Sequence, residues 1–123
     1  MIKLKNSVFK LVENAKSNIN YIKSEDAIKI HSNKMNMFID IRDIREIKKS
    51  GRILGAKHVP RGMLEFWIDP NSQYFKEGKL DLDKEMVLFC AAGSRSALAA
   101  KALQDMGFEK VSHVEGGFGA IKQ

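Results

Sequence analysis

Apolar residues recur along the chain at two different periods, and the alternation between those periods predicts its elements. Val8, Leu11, Val12 and Ala15 fall at i, i+3, i+4 and i+7, the spacing of one helix face. They predict an amphipathic helix from about Ser7 to Ser17 that packs against the core. Tyr21-Ile22 reads as a short strand, and Ser24 as an N-cap, with Glu25 and Asp26 in the first turn of a helix running to about His31. Met37-Phe38-Ile39-Asp40 is a buried strand ending in a carboxylate. Ile44 to Ser50 reads as a short helix closed by Gly51, and Ala56 to Val59 as a strand stopped by Pro60. Met63 to Ile68 reads as a compact helical turn before the turn Asp69-Pro70-Asn71-Ser72, and Gln73 to Lys84 as loop.

The second half continues the alternation. Met86-Val87-Leu88-Phe89 is a strand, and Leu98, Ala99, Ala102, Leu103 and Met106 form the buried stripe of a helix capped by Gly107. Lys110 to Val114 is a further strand, and Gly116-Gly117 opens a last helix near Phe118. Strands alternating with helices predict an α/β domain with a mainly parallel sheet, whose ligands sit at the carboxyl ends of strands.

Length and composition are consistent with this. The 123 residues, 44% hydrophobic and 29% charged, suit one globular domain. Residues 1–19 are expected to be a helix packing on a domain that occupies 20–123. There is no internal repeat or linker, no apolar segment of signal-peptide length, and no window near the ~20 apolar residues of a membrane span. The lone cysteine excludes an internal disulfide, and His31, His58 and His113 are scattered without metal-ligand spacing. We therefore expect a reduced cytoplasmic protein with no metal site and no membrane association. The net charge of +6 is uneven: residues 1–61 carry 14 Lys/Arg against 6 Asp/Glu. That half suits an anionic substrate or an acidic partner. No aromatic-basic interleaving points to nucleic acid, and a solvated lysine-rich surface is the simpler reading.

Candidate chemistry centres on Cys90, where the Met86–Phe89 strand breaks into the loop Cys90-Ala91-Ala92-Gly93-Ser94-Arg95-Ser96 ahead of a helix. A strand end fixes the sulfur, the N–H groups of Ala91 through Ser96 can converge on it, and Gly93 permits the tight turn. The helix N-terminus and Arg95 add positive charge. Such a ring favours a thiolate or a larger anion attached to it. An isolated cysteine is usually a small buried apolar residue, but the Gly-Ser-Arg sequel favours a reactive thiol. With no resolving cysteine, whatever Cys90 carries must pass to another molecule. This favours single-thiol group transfer over a dithiol oxidoreductase or a self-contained arsenate reductase.

Four stretches resemble the signatures of the rhodanese domain, in order: Phe38 to Asp43, Gly51 to Pro60, the Cys90–Ser96 loop, and Glu115-Gly116-Gly117-Phe118. Pro60 to Trp67 is similar to a bacterial single-domain rhodanese subgroup. The resemblance spans about residues 20–122. It implies a three-layer α/β/α fold with a five-stranded sheet, and a sulfurtransferase cycle without metal or organic cofactor. In that cycle Cys90 takes a sulfane sulfur from thiosulfate or a similar small donor and holds it as a persulfide. It then passes the sulfur to cyanide or to a thiol acceptor, either a small molecule or a thioredoxin-like protein. By position, Asp40 and Arg42 would be structural, with Arg42 alternatively on the pocket rim. Ser94 and Arg95 would contact the donor or the persulfide. His58 would be a strand-edge residue rather than a base, and Phe66 and Trp67 core residues or a pocket wall. Arg52 departs from the family pattern as a surface change, and Ile121 stands where the family often has tryptophan, which leaves the packing of the last helix open. The uncharged Ala91 and Ala92 leave donor selectivity to Arg95 and backbone amides. Two rivals are a cysteine phosphatase and a non-enzymatic rhodanese-like binding module. Related phosphatases place five residues between Cys and Arg, against four between Cys90 and Arg95 here.

Overall fold

In the computed structural model, which describes residues 1–122, five strands form a single parallel sheet. They are β1 (Asn20–Ile22), β2 (Asn36–Asp40), β3 (Lys57–His58), β4 (Glu85–Phe89) and β5 (Val111–Val114), in the order β1-β5-β4-β2-β3. The helices are α1 (Val8–Lys16), α2 (Ser24–Ile30), α3 (Ile44–Ser50), α4 (Leu64–Ile68), α5 (Ser94–Met106) and α6 (Gly117–Ile121). Gln123, the last residue of the expected domain, lies outside the described residues.

The strand order decides where a site can form. From β2 the chain moves outward to β3, and from β4 it moves the opposite way to β5, while β2 and β4 are neighbours. Their carboxyl ends therefore flank a topological switch point, where loops diverge and leave a crevice. Asp40 ends β2 and Phe89 ends β4 in the same register row, which puts the 41–43 and 90–93 segments side by side. Ile41 N–H donates to the Phe89 carbonyl at 3.0 Å.

The period-two alternation sorts β2 and β4 onto two cores. Met37, Ile39, Met86, Leu88 and Cys90 pack with Leu64, Ile68, Ala99, Ala100 and Leu103 of α4 and α5. Phe38, Val87 and Phe89 pack on the other face with Ala27, Phe118 and Ile121 of α2 and α6. Cys90 continues the β4 alternation onto the α5 side. Ile121 is buried in the second core, so isoleucine anchors the last helix at a position where the family pattern often differs.

Several expectations shift. The N-cap of α2 is Lys23, with no side-chain cap bond, and Ser24 is the first helical residue. β3 is two residues long rather than four: Val59 and Arg61 still donate to the Asp40 and Ile41 carbonyls, but the regular ladder ends because the Ile41 N–H turns to the Phe89 carbonyl and the Arg42 N–H to the Asp40 side chain. On α5 the fully buried residues are Ser96, Ala97, Ala99, Ala100 and Leu103, while Met106 is exposed. The α5 stripe is thus rotated towards its small residues, which let the helix lie close to the sheet. α1 lies along α5 but buries only Ala15 fully; Val8 and Leu11, expected to face the core, are exposed.

Candidate active site

The thiol is held by what surrounds its loop on three sides. Below it, β4 delivers Cys90 into the crevice with 1% of its surface exposed. Ahead of it, Gly93 adopts φ +110° and turns the chain into α5, whose first residue is Ser94. The Gly93 N–H then reaches the sulfur at 3.1 Å and the Ser96 N–H at 3.3 Å. Above it, the N-terminus of α6 grips the outer side of the loop: Phe118 N–H donates to the Cys90 carbonyl at 2.7 Å and Gly119 N–H to the Ala91 carbonyl at 3.1 Å. With these carbonyls fixed outward, the amides that follow are free to point at the sulfur.

Burial is the largest single influence on the thiol and opposes its ionisation. The Ser96 hydroxyl and the N–H groups of Ser96, Gly93 and Ala92 together outweigh it, leaving the Cys90 pKa below its ordinary value. Of the amides expected around the sulfur, those of Gly93 and Ser96 bond it directly.

A group not anticipated from the sequence stands behind Ser96. His113, on β5, is 1% exposed, and its Nδ1 lies 3.0 Å from Ser96 Oγ, which in turn lies 3.5 Å from the Cys90 sulfur. Ser96 Oγ is also 3.3 Å from the Gly93 carbonyl. Burial, with a smaller contribution from the nearby Lys16 charge, pushes the His113 pKa down to about 4, so the ring is neutral near pH 7. With its proton on Nδ1, neutral His113 donates to Ser96 Oγ and leaves the hydroxyl hydrogen for the thiolate. The legible signal was period two: Val111 and His113 share a face of β5 with the buried residues towards α5. The unfolded chain protonates His113 near 6.5 and the folded one near 4. Stability should therefore be lost as pH falls through that window, by about 3 kcal/mol in all. Chemical denaturation across it should show the loss in the parent and a flatter profile in His113→Gln.

Asp40 and Arg42 form a buried pair rather than an open rim. Asp40 accepts from Arg42 Nε at 3.0 Å and from a terminal guanidinium nitrogen at 2.7 Å, and both residues are at most 2% exposed. Arg42 also donates to the Gly51 carbonyl at 2.9 Å, and its guanidinium lies 3.9 Å from the ring centre of Phe118 in α6. One side chain thereby ties the end of β2, the Gly51 turn and the helix that grips the Cys90 loop. A buried pair so placed sets geometry more than it adds stability. His58, on the edge strand, lies 2.8 Å through Nε2 from the Arg42 carbonyl. Trp67 packs on the α5-side core with Lys76 and Lys79 over its ring, and Phe66 is half exposed against Tyr74.

Arg95 does not face the sulfur as a free cation. Its guanidinium is bidentate to Glu46, at 2.6 and 2.9 Å, with both side chains partly exposed. Glu46 also completes a capping box with Asp43 at the start of α3, a pattern readable in the Asp-x-x-Glu spacing. Ser94 is exposed and lines a cleft beside α1. The more voluminous cavity, about 670 Å³, borders Asn36 and Lys84 at the amino ends of β2 and β4. It lies at the opposite end of the sheet from Cys90. Among the described residues no group of three or more His, Cys, Asp or Glu side chains is placed to hold a metal.

Most of the chain, from α2 onward, matches a known family model. The rhodanese-like domain matches residues 24–123. The chain belongs to the rhodanese-like domain family. It is 36% identical to YtwF of Bacillus subtilis, provisionally named a sulfurtransferase, over 72% of this chain and 76% of that protein. It is 30% identical to YrkF of the same organism, provisionally named a sulfur carrier protein, over 70% of this chain but 41% of YrkF. Against tRNA uridine(34) hydroxylases it spans about a quarter of their length or less. A Rhodopseudomonas palustris protein of unknown function, described as a possible tyrosine phosphatase, superposes with a TM-score of 0.92 at 44% identity, covering 99% of this chain and 93% of that one. The polysulfide-sulfur transferase homodimer of Wolinella succinogenes superposes at 0.68 with 33% identity, covering 89% of this chain and 77% of that one. No helix of this rhodanese-like domain, among the described residues, is long and apolar enough to cross a membrane.

Proposed function

We propose that this rhodanese-like domain moves a sulfane sulfur from a small donor to a thiol through a persulfide on Cys90. The observation that carries the reading is the sulfur itself, buried, with two backbone N–H groups on it within 3.3 Å. In the first half-reaction the Cys90 thiolate attacks the outer sulfur of thiosulfate; the S–S bond of the donor breaks and sulfite leaves with its electron pair. In the second, an acceptor thiolate attacks the outer sulfur of the persulfide, the new S–S bond breaks, and Cys90 returns as thiolate. The amide ring supports the negative sulfur in both states. Thiosulfate, polysulfide or another persulfide fits this chemistry as donor. Intact-mass measurement after incubation with each should show one added sulfur that cyanide removes. No mass gain with any of the three would sink the reading and leave a binding module.

The phosphatase description of the Rhodopseudomonas neighbour raises a second reading, which two features disfavour. The loop places four residues between Cys90 and Arg95, a small cradle. Its arginine, which a phosphate would need, is held by Glu46.

The same pair suggests how donors are discriminated. A dianion such as thiosulfate approaches an arginine already neutralised by a carboxylate. Glu46→Gln keeps a capping-box acceptor but removes the charge. Removing a partly exposed charge is worth about 0.5–1 kcal/mol. The KM for thiosulfate should therefore fall about two- to fivefold with kcat little changed, an effect that weakens with added salt. An unchanged KM would remove Glu46 and Arg95 from donor selection.

A further inference from the structure

α1 leaves an apolar, basic surface beside the catalytic loop. Ser94, the first residue of α5, shares a cleft of about 430 Å³ with Val8, Phe9, Val12, Glu13 and Lys16 of α1. Ten residues further along α5, and just past the end of α1, the Gln104 side-chain amide donates to the Asn18 carbonyl at 2.9 Å. α1 therefore runs alongside α5 in the same direction, and its beginning stands at the Cys90 end of the sheet.

Two properties of this end of α1 have no use within the fold. Phe9 is 81% exposed, Val8 55% and Leu11 46%, although Val8 and Leu11 stand on the helix face spaced for burial. The charge around them is also one-sided. Residues 1–16 hold Lys3, Lys5, Lys10 and Lys16 against Glu13 alone, and all five are exposed.

We infer that α1 and the segment before it form the docking surface for the sulfur acceptor, a protein thiol whose cysteine is flanked by apolar and acidic residues. The inference rests on the sulfur-transfer reading above. Charge complementarity selects an acidic partner, and the exposed apolar side chains supply contact area. The cleft places that contact next to the loop from which the sulfur must leave. A small thiol needs only to reach Cys90 and gains nothing from a separate cleft. A bilayer has no thiol to bring to a buried sulfur, and it meets convex apolar surfaces rather than a cleft walled by Ser94. In the transfer, the partner's thiolate attacks the outer sulfur of the Cys90 persulfide and becomes the persulfide, while Cys90 leaves as thiolate. No oxidant or reductant is consumed.

The test uses the intact chain and two synthetic probes, Asp-Leu-Glu-Cys-Glu-Leu-Asp and its counterpart with lysine at every acidic position. After loading of Cys90, single-turnover transfer to the acidic peptide should be about tenfold faster than to the basic one at low salt, with the gap closing as salt rises. Lys5→Glu/Lys10→Glu should reverse the preference. Val8→Ser/Phe9→Ser should slow both peptides severalfold, and transfer to cyanide should be unchanged in every variant. Equal rates for the two peptides in the parent chain, or variants that slow cyanide equally, would overturn the proposal. Binding of the fluorescein-labelled peptides to Cys90→Ser separates the two readings: peptide discrimination without sulfur loading sinks sulfur transfer alone, and loading without discrimination sinks docking alone. Co-sedimentation with phosphatidylglycerol vesicles that Lys5→Glu/Lys10→Glu abolishes would assign the surface to lipid instead. A dimer in sedimentation velocity that Val8→Ser/Phe9→Ser dissociates would assign it to a second copy. Either result would also overturn the proposal.

Discussion

Replacing Cys90 by serine is expected to reduce sulfur transfer by about 10⁴-fold or more while leaving the domain folded. A serine hydroxyl does not ionise near neutral pH, and its oxygen cannot carry a sulfane sulfur to a thiol. The amide ring that serves the thiolate has nothing to stabilise. The fold survives because serine is close to cysteine in size, and its oxygen can accept from the Gly93 and Ser96 N–H groups that now bond the sulfur. A second signature follows by linkage. The folded-state pKa of Cys90 lies below its ordinary value of 9.0, so the unfolded chain binds more protons between the two values. The ionised thiol's contribution to stability is therefore fully present above 9.0 and is lost as pH falls through the folded value. Cys90→Ser should remove this alkaline-side gain from urea-denaturation curves measured across that window. Retained sulfur turnover in the serine variant would move the chemistry away from Cys90.

The placement of the thiol against backbone amides was legible because its determinants are local: an apolar strand, a glycine at the turn and a helix start lie within about a dozen residues. The parallel sheet was legible for the same reason, as alternating periods need no knowledge of partners. What escaped was mostly long-range. Arg95 and Glu46 are 49 residues apart, and Ser96 and His113 are 17 apart; neither pairing leaves a trace in spacing. Arg95 read as a cation for the donor because its neutraliser sits on another element. α1 escaped only in part: it lies along α5, but its Val8 and Leu11 stay exposed. Its apolar face was correctly recognised as a face, but burial depends on what the sheet leaves uncovered, and α5 needs only Ala15 from it. Ser24 as a cap lost to Lys23 by one residue, the ordinary scale of boundary error when the capping side chain makes no bond to decide it.

The C-terminal glycine pair is where sequence signature and site geometry meet most tightly, and Gly117→Ala should be the most damaging small substitution outside the thiol. Gly117 has φ +60°, and a Cβ there would sit 2.4 Å from the Cys90 carbonyl oxygen and 2.7 Å from the Ala91 carbonyl carbon. Both obstacles are backbone of the Cys90 loop, so neither can rotate away as a side chain could. The contact also lies one residue before Phe118, whose N–H holds the Cys90 carbonyl at 2.7 Å. Displacing the loop therefore loosens the grip that aims the amides at the sulfur. We expect a stability loss of about 3 kcal/mol and a fall in sulfur-transfer kcat of about 10²-fold. Gly107→Ala is the matched control: φ is +108°, but nothing lies within 4 Å of the added Cβ. It should cost about 1 kcal/mol of left-handed strain with kcat unchanged. The difference between the two variants isolates steric contact with the Cys90 loop from backbone strain. Equal losses in stability and activity would mean that the glycine serves only its own turn, leaving the positioning of the amides to Gly93 and Ser96.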